Sequence, residues 1–212
     1  MNCFCKQTNR NFIFMFFLMM HFSFSMNAQE TEKKAQRDSL EKFSKNFHKG
    51  YIVWRSTGDT ITGLLKWHVF MGNTPEWVDF KMDEDAKKKP YRDDSIVAFG
   101  NEKIHWRYFK YGGWAKQIVN GTICMYETEI ARMYSTSPVY IFKKGNEKAV
   151  FITKDEGEAF TGVLKESQKE DIQDYIFGAT DVETKLLKND FAFKKLKQLI
   201  IEYNDWVKAG GK

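Results

Sequence analysis

Cysteine and proline are both scarce in this chain, three of each among 212 residues. Cys3 and Cys5 precede an apolar run, so once that segment is removed Cys124 stands alone and no intramolecular disulfide can form. The fold must then rest on its core and its backbone ladders. A long hydrophobic run is missing too. The main one, residues 12–20 (FIFMFFLMM), breaks at His21, well short of the roughly 20 apolar residues a membrane-spanning helix needs. Charge of one sign is also absent: Lys+Arg 33 stand against Asp+Glu 28, interleaved, for a formal charge of +5. That balance favours solubility and identifies no partner, and it lacks the basic stripe of a nucleic-acid binder. Histidine numbers four, and the separations of His48, His68 and His105 match no metal-ligand spacing.

What is present begins with export. Lys6 and Arg10 precede the apolar run, a softer stretch follows to Ser25, and Met26-Asn27-Ala28-Gln29 supplies a small residue before a cut. This is the layout of a secretory signal peptide over residues 1–28, with cleavage expected after Ala28. Removal takes Lys6 and Arg10 away and lowers the net charge by two. No cysteine stands at the new N-terminus to accept a lipid, so the expected product is soluble, unanchored, and periplasmic or secreted. Enough chain remains for one ordinary domain.

Residues 29–49 form a charged leader in which Leu40, Phe43 and Phe47 follow helical spacing. From Gly50 the period changes to two. Residues 51–57 (YIVWRST) and 61–70 (ITGLLKWHVF) flank Gly58-Asp59, and this predicts a β-hairpin. Further strands are expected at 77–82, 95–99, 103–111, 114–119, 122–131, 139–143 and 149–153, with turn chemistry at 83–90, Gly112-Gly113, Asn120-Gly121 and Gly145-Asn146. Residues 50–155 therefore read as an antiparallel β domain, curved or closed into a small barrel. Helical spacing returns over 156–208. Phe160, Val163, Leu164, Ile172, Tyr175 and Ile176 share one face, with a polar interruption at 166–171. Asp181 is a plausible N-cap. Phe191, Phe193, Leu196, Leu199, Ile200, Tyr203 and Val207 form the last and clearest face, ended by Gly210-Gly211. Strands followed by helices give an α+β fold with the helices packed on the sheet.

These features together resemble a group of uncharacterised secreted proteins of the Bacteroidetes. The stretch GYIVWRSTGDTITGLLKW matches their G-Y-I-V and G-D-T-I-x-G first hairpin. Pro90-Tyr91, Asp93-Asp94-Ser95-Ile96 and Phe99-Gly100 are similar to a second block. The tail DVETKLLKNDFAFKKLKQLIIEYN closes on Tyr203-Asn204, as theirs commonly does. Trp54 and Trp67 depart from the pattern, standing where smaller residues are usual. The resemblance implies an exported protein with a β body and a helical tail, and transfers no activity.

No residue pattern assigns a catalytic, cofactor-binding or metal-binding role. Cys124 lacks the local signature of a nucleophile. Glu127 and Glu129 leave one strand on the same face, as an acid–base pair or cation ligands would, but an exposed polar strand face looks identical and is the preferred reading. Asn120-Gly121-Thr122 is a glycosylation sequon that reads equally as a turn. Aromatic density has more functional pull. The hairpin over 104–119 carries Trp106, Tyr108, Phe109, Tyr111 and Trp114 on both faces, and rings beside Arg107 and Lys110 can stack on sugars or anchor a protein. Trp106, Arg107, Tyr111 and Trp114 are therefore the expected ligand or partner surface, unless the helices cover that face. The expected function is a non-catalytic binding protein of the envelope or extracellular space, its partner a glycan or an envelope protein. The alternatives are an assembly component and a hydrolase, which would need Glu127, Glu129, His68 or His105 in one cleft.

Overall fold

The computed structural model describes residues 46–69, 74–131, 136–153 and 162–211. The expected signal peptide, nearly all of the expected charged leader, and Phe160 lie outside these residues. The body is a ten-stranded antiparallel sheet followed by helices, the expected α+β order. Its strands are β1 (His48–Trp54), β2 (Thr60–Val69), β3 (Pro75–Lys81), β4 (Lys89–Tyr91), β5 (Ile96–Gly100), β6 (His105–Phe109), β7 (Gly113–Val119), β8 (Ile123–Ala131), β9 (Thr136–Lys144) and β10 (Val150–Thr153). The order across the sheet is β10-β9-β8-β7-β6-β5-β1-β2-β3-β4. Its two ends are thus β10 and β4. β1 takes in the last two residues of the expected leader. β4 is a strand the sequence pattern placed in a connector, because three residues led by Lys89-Pro90 carry no alternation to read.

The sheet is rolled where β4 hands over to β5. In the strand order these two lie four places apart, about 19 Å if laid flat. Five residue steps join Tyr91 to Ile96, a reach of about 18 Å when fully extended. The connector is not extended: Ser95 and Ile96 both donate their backbone N–H to the Arg92 carbonyl, at 3.1 Å each. The β1–β4 end must therefore curl towards β5, and the Trp54 and Tyr91 rings meet edge to face at 5.1 Å. The motif glycines make the curl possible. Gly50 and Gly63 are direct register partners. A Cβ on Gly50 would lie 2.3 Å from the Gly100 carbonyl oxygen, and one on Gly63 would lie 2.5 Å from that of Lys81.

In an antiparallel ladder, directly opposed residues share a face. Ile52 opposes Ile61 on one side and Phe99 on the other, and Phe99 opposes Trp106. This is the concave face. At the rolled end it buries Ile52, Leu65, Trp67, Val78, Phe99, Trp106 and Trp114. Trp67 and Phe99 are two strands apart in the order, yet their rings come within 6.1 Å.

At the other end the helices cover the same face. They are α1 (Glu166–Ile176), α2 (Thr180–Leu186) and, after a 3-10 turn at Phe193–Lys195, α3 (Leu196–Lys208). Leu196, Leu199, Ile200 and Tyr203 of α3 sit at helical spacing and join Val119, Ile123, Met125, Phe142 and Ile152 of the sheet in one core. Fully burying each such aliphatic side chain contributes about 1.5–3 kcal/mol. Three expectations are corrected here. Residues 166–171 do not interrupt α1 but begin it, because Glu166, Glu170 and Asp171 are exposed while Lys169 lies along the buried side. Asp181 sits in the first turn of α2 rather than capping it, the cap position falling on Ala179. Val163 and Leu164 are not helical; they tie to Ala192 and Phe191 as a short bridge.

The closing Tyr203-Asn204 pair also acquires a structural role. Asn204 is buried, accepts the Ile123 N–H on Oδ1 and donates Nδ2 to the Ile123 carbonyl, both at 2.9 Å. Its amide thus acts as a substitute strand backbone and fastens α3 to β8.

Candidate functional site

The aromatic hairpin divides between core and solvent. Trp106 and Trp114 are 3 % and 4 % exposed, whereas Tyr111 is 77 % exposed and Arg107 is also open. The two tryptophans are therefore not surface rings. They pack into an aromatic cluster of the sheet itself: Phe99 lies edge to face on Trp114 at 4.9 Å and parallel to Trp106 at 6.3 Å. Arg107 and Tyr111 stand apart from this aromatic core, with Tyr111 beside the Lys110 ammonium at 5.5 Å. The structure does not assemble the four residues into one patch.

The histidines and Glu127 are also separated. The parity that puts Glu127 on the concave face puts His68 and His105 on the convex one. His68 donates Nε2–H to the buried Asp79 carboxylate at 3.0 Å and stacks on Trp77 at 4.7 Å, and Lys88 approaches the same carboxylate at 3.3 Å. His105 Nδ1 lies 2.6 Å from the Tyr51 hydroxyl. Cys124, also convex, points its thiol at the Gly121 carbonyl at 3.5 Å. Its neighbour Tyr126 is pushed up to about 12, chiefly by burial and then by Cys124. No cluster of three or more potential metal ligands occurs among the described residues.

What the ladder does bring together is a row crossing the concave face. From Trp106 on β6 it passes through direct partners to Lys116 on β7, Glu127 on β8, Tyr140 on β9 and Ile152 on β10. Between the aromatic core and the helical core, the row turns polar. Lys116, Glu127 and Tyr140 are each half-buried, Glu129 is exposed at the rim, and Lys197 reaches the same charges from α3. The preferred reading of Glu127 and Glu129 as an exposed polar face is corrected for Glu127. Ile123 and Met125 precede it on the same side and are fully buried.

Burial shifts every ionisable member of the row away from its charge. Desolvation lowers Lys116, helped by Lys197 and opposed by Glu127. It raises Glu127, helped by Glu129 and opposed by Lys116 and Lys197. Desolvation and the Glu127 charge raise Tyr140, whose ring is fixed by stacking on Phe193 at 4.5 Å and 8°. At one end of the row, the Trp106 indole N–H is buried and finds no acceptor among the described residues. The site thus offers hydrogen-bond donors and one carboxyl side by side, partly dried, between two cores.

Lys116 and Tyr140 carried no sequence signal as site residues. A signal did exist for Glu127: its parity with Ile123 and Met125 marks a charge on a core face. Compared with known proteins, the chain matches no family model, no curated protein and no solved structure.

Proposed function

We propose that this is an exported, non-catalytic binding protein of the cell envelope or extracellular space, which takes its ligand at the Lys116–Glu127–Tyr140 row. One observation carries the reading: two opposite charges sit half-buried in direct register between two cores on one face of the sheet. Holding them there is unfavourable without partners, and shifted ionisable groups of this kind cluster where proteins bind or react. Binding rather than hydrolysis is favoured because neither His68 nor His105 shares the face. Export rests on the N-terminal pattern, and kinship with the secreted Bacteroidetes proteins on the hairpin and tail motifs. No described helix is long and apolar enough to cross a membrane.

The test is a thermal-shift panel of envelope glycans and lipids on the purified protein, with Lys116→Met alongside, and N-terminal sequencing of the exported product. The expected results are a stabilising ligand whose effect the variant loses, and a mature start at Gln29. Stabilisation that is equal in the variant refutes this site.

A second reading, an assembly component contacting another envelope protein, is favoured by Phe177 and Leu187. They follow α1 and α2 directly and are 77 % and 43 % exposed. It predicts cross-links through those residues and no small-ligand response.

A further inference from the structure

The balance of charge in the row points to a ligand class, an inference that rests on the binding reading above. Lys116 and Glu127 are nearest neighbours across the β7–β8 ladder, and each favours the charged form of the other. Beyond them stand one further cation, Lys197, and one further carboxylate, Glu129. A bound anion would draw on Lys116 and leave Glu127 half-buried beside added negative charge. A bound cation would do the reverse to Lys116. Either would set added like charge beside a half-buried ionised group, which is unfavourable.

A hydroxyl group avoids the conflict, since it donates to the Glu127 carboxyl and accepts from the Lys116 ammonium while both keep their charges. Such bonds to ionised groups are the strong ones. We infer that the Lys116–Glu127–Tyr140 row takes a neutral polyhydroxylated ligand, a glycan.

The experiment is tryptophan-emission titration of the full chain, with Trp106 and Trp114 as reporters beside the row. The probes are maltose, cellobiose and N-acetylglucosamine oligomers as neutral sugars, galacturonate as the anionic one, and glucosamine at pH 6 as the cationic one. At least one neutral sugar is expected to bind saturably. Lys116→Met and Glu127→Leu should each weaken it about tenfold or more, the effect of losing a hydrogen bond to a charged group. Glu127→Gln, which keeps a hydrogen-bonding oxygen, should stay within about threefold. Circular dichroism melts identify any variant that has lost its fold, and Glu127→Gln keeps the test decisive if Glu127→Leu does not fold. Tighter binding of galacturonate or glucosamine, still sensitive to the row variants, overturns the ligand class and leaves the site standing. Neutral-sugar binding that no row variant alters overturns the site itself. Silence towards every saccharide, with a lipid binding at the row, overturns the glycan and retains the binding function.

Discussion

Replacing Asn204 by Ala should destabilise the protein far more than removing one polar side chain from a helix suggests. Asn204 satisfies both the N–H and the carbonyl of Ile123 at 2.9 Å and is 3 % exposed, so its loss strands two buried backbone groups. Each stranded group is worth about 1–3 kcal/mol, and partial entry of water puts the expected total at about 2–4 kcal/mol. Guanidinium unfolding read by far-ultraviolet dichroism gives the number as a fall in midpoint at constant slope. Gly121→Ala attacks the same contact from the other side, because the new Cβ would lie 2.5 Å from Asn204 Cγ and Nδ2. The two changes should therefore be non-additive, the double variant losing less than the sum. Asn204→Asp adds a sign. Its carboxylate would face the Ile123 carbonyl with no proton to give, so its folded pKa rises above the unfolded value of about 3.9. The stability of this variant is then best below about pH 4 and is lost as pH rises through the folded value. A cost under about 1 kcal/mol for Asn204→Ala, or strict additivity with Gly121→Ala, would refute the clamp.

The aromatic residues make a contrasting pair. Trp114→Ala should cost about 3–5 kcal/mol as a core cavity, while Tyr111→Ala should stay within about 0.5 kcal/mol, both read by the same unfolding curves. Gly63→Val should prevent the curl, since even a Cβ there meets the Lys81 carbonyl at 2.5 Å and the Phe80 ring at 2.6 Å; loss of the cooperative melt reports it. Glu127→Gln tests the row through pH. Because burial raises Glu127 above its ordinary 4.5, the wild type holds that contribution below 4.5 and loses it as pH rises through the folded value. The Gln variant should therefore gain on the wild type from pH 4 to pH 7, and a difference that is flat with pH would contradict the burial.

The fold was legible where one face of a strand or helix differs from the other. The alternation through Ile61, Gly63, Leu65 and Trp67 announced β2, and Leu196, Leu199, Ile200 and Tyr203 announced α3. β4 was illegible because its three residues are too few for any period. The start of α1 was illegible because an amphipathic helix can open on its polar side. The aromatic hairpin misled for a tertiary reason. Local sequence tells which rings share a face, but only the packed sheet shows that Trp106 and Trp114 close into a cluster with Phe99. The polar row was hidden likewise, since Lys116, Glu127 and Tyr140 lie on three strands whose register no single strand contains.

The position of that row follows from how the sheet disposes of its concave face. The rolled end covers itself with its own aromatics, and the far end borrows the helices. At the seam in the middle of β7 and β8, between the two, the cover is only partial: Lys116, Glu127 and Tyr140 stay half-buried. An apolar seam would leave an exposed hydrophobic stripe, so polar residues there need no function. Solubility alone, however, would be served by threonine or serine, which can hydrogen-bond locally without a charge to desolvate. This seam holds a lysine and a glutamate in direct register, both displaced from their ordinary values by burial. That arrangement costs more than covering the seam requires. A ligand that hydrogen-bonds to both charges without neutralising either would recover the difference, and Thr substitutions at both positions would separate the two accounts. If the row only solvates the seam, Lys116→Thr with Glu127→Thr should hold or raise stability and change no binding. If it holds a ligand, the same protein should fold as well or better and lose the ligand.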